Sequence, residues 1–141
     1  DHQDYYPTYE DIRDAFVDYI CKLPQNGDLI YCADDKGAVE TVEIASKKRP
    51  DVKLIPYGEN ATGDFKLTFG KVENERNNFS IDLYKNTQLA ICVPGKHEVL
   101  DAVAALALSV CLLRQFGKNP QDYLICHRGP FAHCHGLPYL Y

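Results

Sequence analysis

The sequence contains neither methionine nor tryptophan, and its 15 Lys and Arg residues are outnumbered by 20 Asp and Glu residues. The formal charge of -5 argues against a nucleic acid or an anionic membrane as partner, because proteins that bind these partners present an excess of positive charge. The apolar run over residues 102–108 is much shorter than the roughly 20 residues that span a bilayer, so it predicts a buried core helix. With 141 residues, the chain is expected to form one globular unit.

The six cysteines include no Cys-x₂-Cys pair and lie mostly within apolar strand or helix patterns. This usage is typical of small buried side chains in a reducing compartment, so we expect a cytoplasmic protein without disulfides. Residues 1–4, Asp-His-Gln-Asp, differ from the basic start of a signal peptide. Because position 1 is not methionine, we expect Asp1 to be a cut edge rather than a translation start.

The first half of the chain predicts a βαβ unit that follows an amphipathic helix. Thr8 and Asp11 resemble a capping box at the start of a helix over residues 9–22. The apolar run 29–33 is typical of a buried parallel strand and ends in Asp34 and Asp35. A helix over residues 37–48 and a strand over residues 52–57 complete the unit.

The hydrophobic pattern changes after Gly58, where apolar residues alternate with polar ones. Three antiparallel strands are predicted around residues 65–69, 79–83 and 89–93. A long helix over residues 97–116 then ends at Gly117, and Pro120 opens a short helix ending near residue 125. The predicted fold is α/β, with a parallel sheet flanked by helices and a small three-stranded antiparallel sheet.

The start of the long helix is the strongest candidate site. A Pro94-Gly95 turn ends a strand and releases a helix with free backbone N–H groups, beside which His97, Glu98 and Asp101 project. These side chains either face a ligand or only complement the helix dipole. At the N-terminus, His2 lies between carboxylates, a mixture that either holds a divalent ion or is simply solvated.

Three motifs together resemble the central domain of the Mur ligases, ATP-dependent enzymes that append amino acids to the peptidoglycan precursor. Residues 1–6 are similar to the family's Asp-His-x-Asp-x-Tyr segment, and residues 32–35 to its Asn-Ala-Asp-Asp strand end. Residues 94–105 are similar to Gly-x-His-Asn-x-x-Asn-x-x-Ala-Ala. The resemblance spans residues 1–124 and is closest to the member that joins L-alanine to UDP-N-acetylmuramate, because no lysine stands in the Ala15-Phe16-Val17 region, where several sister enzymes carry a carbamylated one.

The resemblance implies ATP and Mg²⁺ as cofactors, with His2 as a magnesium ligand and His97, Glu98 and Asp101 against the adenine. It also implies that ATP phosphorylates the carboxylate of UDP-N-acetylmuramate and that L-alanine attacks the acyl phosphate; it assigns no catalytic residue here. The sequence departs from the family at Glu98 and Asp101, where asparagines are expected. It contains no Gly-x-x-Gly-Lys-Thr phosphate loop, so we expect this chain to be inactive alone.

Residues 125–141 do not follow the family and form a second, divergent region, expected to be frameshifted or disordered. They contain zinc ligands by type, namely Cys126, His127, His133, Cys134 and His135. The alternative function is therefore a non-catalytic module, either a degenerate nucleotide-binding domain or a zinc-binding one. A flavodoxin-like domain unrelated to the Mur ligases is a third interpretation, which the antiparallel segment between Gly58 and Pro94 disfavours.

Overall fold

The computed structural model describes residues 5–123. Its elements are α1 (Tyr9–Cys21), β1 (Asp28–Cys32), α2 (Lys36–Lys48), β2 (Lys53–Tyr57), β3 (Leu67–Glu73), β4 (Arg76–Ile81), β5 (Leu89–Ile91) and α3 (Lys96–Gln115). Short 3-10 turns cover Asp82–Tyr84 and Pro120–Tyr123. β1 and β2 pair in parallel, whereas β3, β4 and β5 form an antiparallel sheet in that order. The predicted α/β fold class is confirmed.

Helix α1 begins at the predicted capping box. The Asp11 backbone N–H donates to the Thr8 hydroxyl oxygen at 3.2 Å, and the Thr8 backbone N–H donates to the Asp11 carboxylate at 3.1 Å. Val17 and Ile20 are buried and pack with Ala45 of α2. The helix therefore begins where its first-turn N–H groups find local acceptors, as the sequence predicted.

Arg49 connects the end of α2 to the end of α1. Its guanidinium donates to the Cys21 and Leu23 carbonyls at 2.7 and 2.9 Å, and it forms a 2.7 Å ion pair with Asp51. The Arg49 guanidinium beside Asp51 holds the pKa of that carboxyl well below its usual range, and a hydrogen bond from the Asn26 backbone N–H lowers it further. One side chain thus satisfies helix-end carbonyls that would otherwise face only water.

The main core lies between α3 and both sheets. Val99, Val103 and Ala107 of α3 are fully buried and join Ile55 of β2 and Phe79 of β4 in one cluster. This packing explains why α3 carries apolar residues at helical spacing. It also places the start of α3 near the ends of the parallel strands.

Helix α3 ends as the sequence predicted. Gly117 has φ +67°, its N–H donates to the Arg114 carbonyl at 3.0 Å, and the Lys118 N–H donates to the Leu113 carbonyl at 2.8 Å. These two bonds make a Schellman motif.

Three expectations about burial and strand ends were wrong. All five residues of β1 are only half-buried, because β2 is its only strand neighbour within residues 5–123. Leu83 lies in a 3-10 turn, and Val93 is exposed beyond β5, so the alternating pattern extends past both strand ends. The expected burial of α3 is also incomplete, since Leu108 is 53% exposed.

Several predictions fall outside the described residues. They are the magnesium ligand His2 and the divergent region 125–141 with its cysteines and histidines. Within residues 5–123, every helix is too short or too polar to cross a membrane.

Candidate functional site

The carboxyl ends of β1 and β2 meet the start of α3. Cys32 ends β1 and Tyr57 ends β2 in the same register, so both lie at one edge of the parallel sheet. Tyr57 packs in the same core cluster as Val99 of the first turn of α3, and the Asp101 carboxylate in the second turn contributes to raising the pKa of Tyr57. In α/β proteins, ligands bind outside the carboxyl ends of the strands. The structure therefore brings the predicted α3 residues to the edge where a ligand is expected.

Tyr57 is the residue of this region that the sequence did not predict. Burial above all, together with the neighbouring Cys32 thiol and the Asp101 and Asp34 carboxylates, raises the pKa of Tyr57 to about 12. At neutral pH the phenol is consequently an uncharged O–H donor. Its signal in the sequence was its position as the last residue of the strand that pairs with β1.

The carboxylates of Asp34 and Asp35, which follow β1, accept hydrogen bonds from backbone N–H groups. The Asp34 carboxylate accepts the N–H groups of Glu59 and Asn60, each at 2.7 Å. The Asp35 carboxylate accepts the Ala38 N–H at 2.6 Å and caps α2. Gly58 has φ +121°, and a Cβ there would overlap the Asp34 carboxylate. These aspartates shape the edge of the site by fixing the loop after β2.

His97, Glu98 and Asp101 lie at the start of α3 as predicted. The helix follows Gly95, which has φ +120° and no side chain to cap the first-turn N–H groups. His97 folds back over Gly95, where a Cβ would lie 2.6 Å from its Cε1 atom. The His97 Nε2 atom is 3.4 Å from the Glu98 carboxylate. Backbone N–H groups and carboxylates are therefore presented together at the helix start.

Lys96 points away from this group, towards the antiparallel sheet. Its Nζ atom lies 4.8 Å from the centre of the Phe69 ring, a cation–π contact. The contact anchors the first turn of α3 to β3 without using the side chains of His97 or Glu98. A cleft of about 350 Å³ on the antiparallel sheet, lined by Thr68, Ser80 and Thr87 among others, includes none of the predicted site residues.

The predicted site residues at the start of α3 can be compared with the hydrogen-bonding groups of a purine base. The carboxylates of Glu98 and Asp101 accept hydrogen bonds, so they can receive an exocyclic amine. An asparagine would also donate to a ring nitrogen, which a carboxylate cannot do. Across the described part of the chain, no three His, Cys, Asp or Glu residues are placed to hold a metal ion. Within residues 5–123, the start of α3 thus offers hydrogen-bond acceptors, and the assignments of adenine to this helix start and of magnesium to His2 stay predictions.

The sequence profile of the Mur ligase middle domain matches residues 1–109. That match covers more than half of the 141 residues, includes the motif at α3, and agrees with a parallel sheet beside a small antiparallel one. The chain belongs to the Mur ligase family.

Three relatives of the chain share one enzyme name. The chain is 41% identical over 133 residues, 94% of its length, to the UDP-N-acetylmuramate--L-alanine ligase of Treponema pallidum. It is 34% identical over 116 residues, 79% of its length, to the enzyme of that name from Clostridium novyi, and 32% identical over 111 residues, 77% of its length, to that of Syntrophotalea carbinolica. The resemblance to the alanine-adding member is confirmed. The chain spans only 27%, 24% and 23% of these three relatives.

Proposed function

We propose that the chain is part of the ATP-binding middle domain of a cytoplasmic ligase that joins L-alanine to UDP-N-acetylmuramate. The observation that carries this proposal is the packing of the uncapped α3 start against β2, at the carboxyl edge of the parallel sheet that Tyr57 ends. The 41% identity to a ligase named for these substrates supports the choice of reaction.

The α3 residues would receive the adenine base. The carboxylates of Glu98 and Asp101 accept hydrogen bonds from its exocyclic amine, and His97 covers the turn at Gly95. Tyr57 keeps its proton at neutral pH and can donate to the ligand from the end of β2. ATP with Mg²⁺ would supply the phosphoryl group that activates the substrate carboxylate, with His2 proposed as a magnesium ligand.

We also propose that the chain alone does not turn over substrate. The printed sequence contains no Gly-x-x-Gly-Lys-Thr segment, which would cradle the phosphates through backbone N–H groups. Residues that bind only the base leave the reacting phosphate unpositioned. A catalytic test therefore has to supply the remainder of a ligase.

The test is a chimera in which this chain replaces the matching segment of the Treponema pallidum ligase. We expect ADP release that depends on both L-alanine and UDP-N-acetylmuramate. Asp101→Asn in the chimera should lower the KM for ATP by about three- to tenfold, since one added hydrogen bond contributes roughly 0.5–1.5 kcal/mol. Glu73→Gln, at the end of β3, is the matched control and should leave that KM unchanged.

Absence of ADP release from a folded chimera would contradict the proposed reaction. An unchanged KM for ATP in the Asp101→Asn chimera would contradict the placement of the base at α3. Circular dichroism and cooperative unfolding would establish that each chimera is folded, so that neither result is confused with misfolding.

The second candidate is a non-catalytic, degenerate nucleotide-binding module. It is favoured by the acidic side chains of Glu98 and Asp101, which cannot donate to a ring nitrogen. A chimera that binds ATP without releasing ADP would support it. The zinc-binding version rests on residues 126–135, outside the described part of the chain, and stays a prediction. Stoichiometric zinc that is lost on Cys126→Ser and Cys134→Ser would support that version.

A further inference from the structure

The cleft of about 350 Å³ lies on the outer face of the antiparallel sheet. Thr68 of β3 is the register partner of Ser80 of β4, and Phe69 and Phe79 form the next pair. Successive side chains of a strand point to opposite faces, and Phe79 is buried in the main core against α3. Thr68 and Ser80 therefore face away from α3, and the cleft lies on the opposite side of the sheet from that helix.

The segment between Tyr84 and β5 forms the wall of the cleft and is fixed in place. The Thr87 N–H donates to the Tyr84 carbonyl at 2.8 Å, which closes a tight turn. Tyr84 is buried, and its hydroxyl donates to the Pro120 carbonyl at 3.2 Å. Gln88 directly precedes β5, whose pairing with β4 places this residue beside Ser80. The wall thus has a defined position relative to the sheet.

A bulge in β3 shapes the floor of the cleft. The register of β3 against β4 shifts between Phe69 and Val72, and the Asn78 side-chain amide donates to the Lys71 carbonyl at 2.8 Å. Gly70, inside this bulge, approaches β4 so closely that an added Cβ would lie 3.0 Å from the Asn78 carbonyl oxygen. Gly70 therefore lines the cleft with backbone alone.

The side chains around the cleft are rich in hydrogen-bond donors. Six of them can donate, namely Thr68, Ser80, Lys85, Asn86, Thr87 and Gln88. Over residues 5–123, the hydroxyl and amide groups of this set make no hydrogen bond to other protein groups. The Lys85 Nζ atom is 3.9 Å from the Asp82 carboxylate, and both side chains are exposed. Such an ion pair contributes little, so these donors are available to a ligand.

The charge of the lining favours an anion. No residue that lines the cleft carries a carboxylate, and Lys85 supplies a positive charge. A phosphate dianion only accepts hydrogen bonds, which matches a donor-rich lining, whereas a neutral polyol also needs strong acceptors for its own hydroxyl groups. The chain carries a formal charge of -5, so an anion requires a local positive group such as this one.

We propose that this cleft binds a phosphate monoester of about the size of a sugar phosphate. Lys85 contacts the phosphate oxygens through charge-assisted hydrogen bonds, and the hydroxyls of Thr68 and Ser80 donate to the same ligand. The volume of about 350 Å³ lies near the lower end of the roughly 300–1,000 Å³ that small-molecule sites occupy. This site shares no residue with the start of α3, and the inference does not depend on the proposed function.

A titration of the ¹⁵N-labelled 141-residue chain tests the proposal, with glucose 6-phosphate as the probe and constant ionic strength. We expect amide shift changes in NMR spectra to concentrate at Thr68, Ser80 and Gln88, with a dissociation constant of about 1–10 mM. Inorganic phosphate should shift the same amides, and glucose should not. Equal shifts with glucose, or no shifts at these amides with glucose 6-phosphate, would overturn the proposal.

Two charge-removing variants separate a specific contact from general attraction of anions. Lys85→Gln should raise the dissociation constant for glucose 6-phosphate about fivefold. Lys48→Gln, at the exposed end of α2, removes the same charge and should leave the constant unchanged. Equal weakening in both variants, or none in Lys85→Gln, would overturn the assignment of Lys85. Both substitutions are at exposed positions, and unchanged spectra away from the substituted residue would establish that each variant is folded.

Discussion

Individual glycines set the shape of the candidate site. Gly95 provides the positive φ at which α3 begins, and the His97 ring occupies the space beside it. Gly58 provides the positive φ at the end of β2, and the Asp34 carboxylate occupies the corresponding space there. In both places a ring or a carboxylate fills the space that a Cβ on the glycine would need. The position of each polar group therefore depends on the glycine.

Gly95→Ala is predicted to displace His97. The substitution should cost about 1–3 kcal/mol of unfolding free energy because alanine disfavours the positive φ, and the new Cβ should push the imidazole away from the turn. Urea unfolding measures the first effect, and the His97 ring resonances in NMR spectra measure the second.

Gly63→Ala is the matched control, because Gly63 has φ +82° and no atom within 4 Å of an added Cβ. It should show a similar loss of stability with no change at His97. Unchanged His97 resonances in Gly95→Ala would contradict the described packing.

At the scale of elements, the β3–β4 hairpin carries conformational strain at its turn. Asn74 and Glu75 both have positive φ values, +51° and +61°. This two-residue geometry is the type I′ turn, in which asparagine followed by glycine is the preferred pair. Asn74 suits the turn, whereas Glu75 has a Cβ that disfavours the left-handed region.

Glu75→Gly is predicted to stabilise the chain by about 0.5–1 kcal/mol, because relief of the left-handed strain exceeds the entropy cost of glycine. Glu73→Gly, two residues earlier within β3, should instead destabilise it by a similar amount. Chemical denaturation of both variants measures the difference. A loss of stability in Glu75→Gly would show that the turn does not have this geometry.

The link between Arg49 and Asp51 predicts how stability depends on pH. The pKa of Asp51 is depressed in the folded chain, so its contribution is fully present above the unfolded carboxyl value of about 3.9 and is lost as pH falls below it. Asp51→Asn should therefore lose less stability than the parent chain between about pH 5 and pH 2. Thermal unfolding across this range measures the slope. Asp18→Asn, on the exposed side of α1, is the control, and equal slopes for the parent chain and Asp51→Asn would contradict the prediction.

The sequence predicted helix ends better than strand environments. Thr8, Asp11 and Gly117 act through nearby backbone groups, so their effect can be recognised within one turn of chain. The exposure of β1 depends on which strands lie beside it, and alternation alone does not contain that information. Tyr57 was missed for the same reason, since its approach to Asp101 follows from strand register and helix packing.

Among the site residues, His97, Glu98 and Asp101 were predicted at the start of a helix, and the structure places them there. Their assignment to adenine is untested and remains a proposal. Asp34 and Asp35 were predicted at the end of β1, but their hydrogen bonds to backbone N–H groups depend on the path of the following loops.

At the scale of the whole molecule, two facts define the chain. It belongs to a ligase family, and it spans about a quarter of the length of the relatives that it matches. Base binding at α3 is the step that we propose for the residues of this chain, and it is therefore the step to measure.

The most direct measurement is a titration of the ¹⁵N-labelled chain with MgATP, followed by NMR. We predict amide shift changes concentrated at His97, Glu98, Asp101 and Tyr57, with a dissociation constant of about 1 mM, equal to roughly 4 kcal/mol of binding free energy. His97→Ala should weaken these changes, whereas Glu73→Gln should not. Shift changes that avoid the start of α3, or no changes at saturating MgATP, would contradict the placement of the nucleotide at this site.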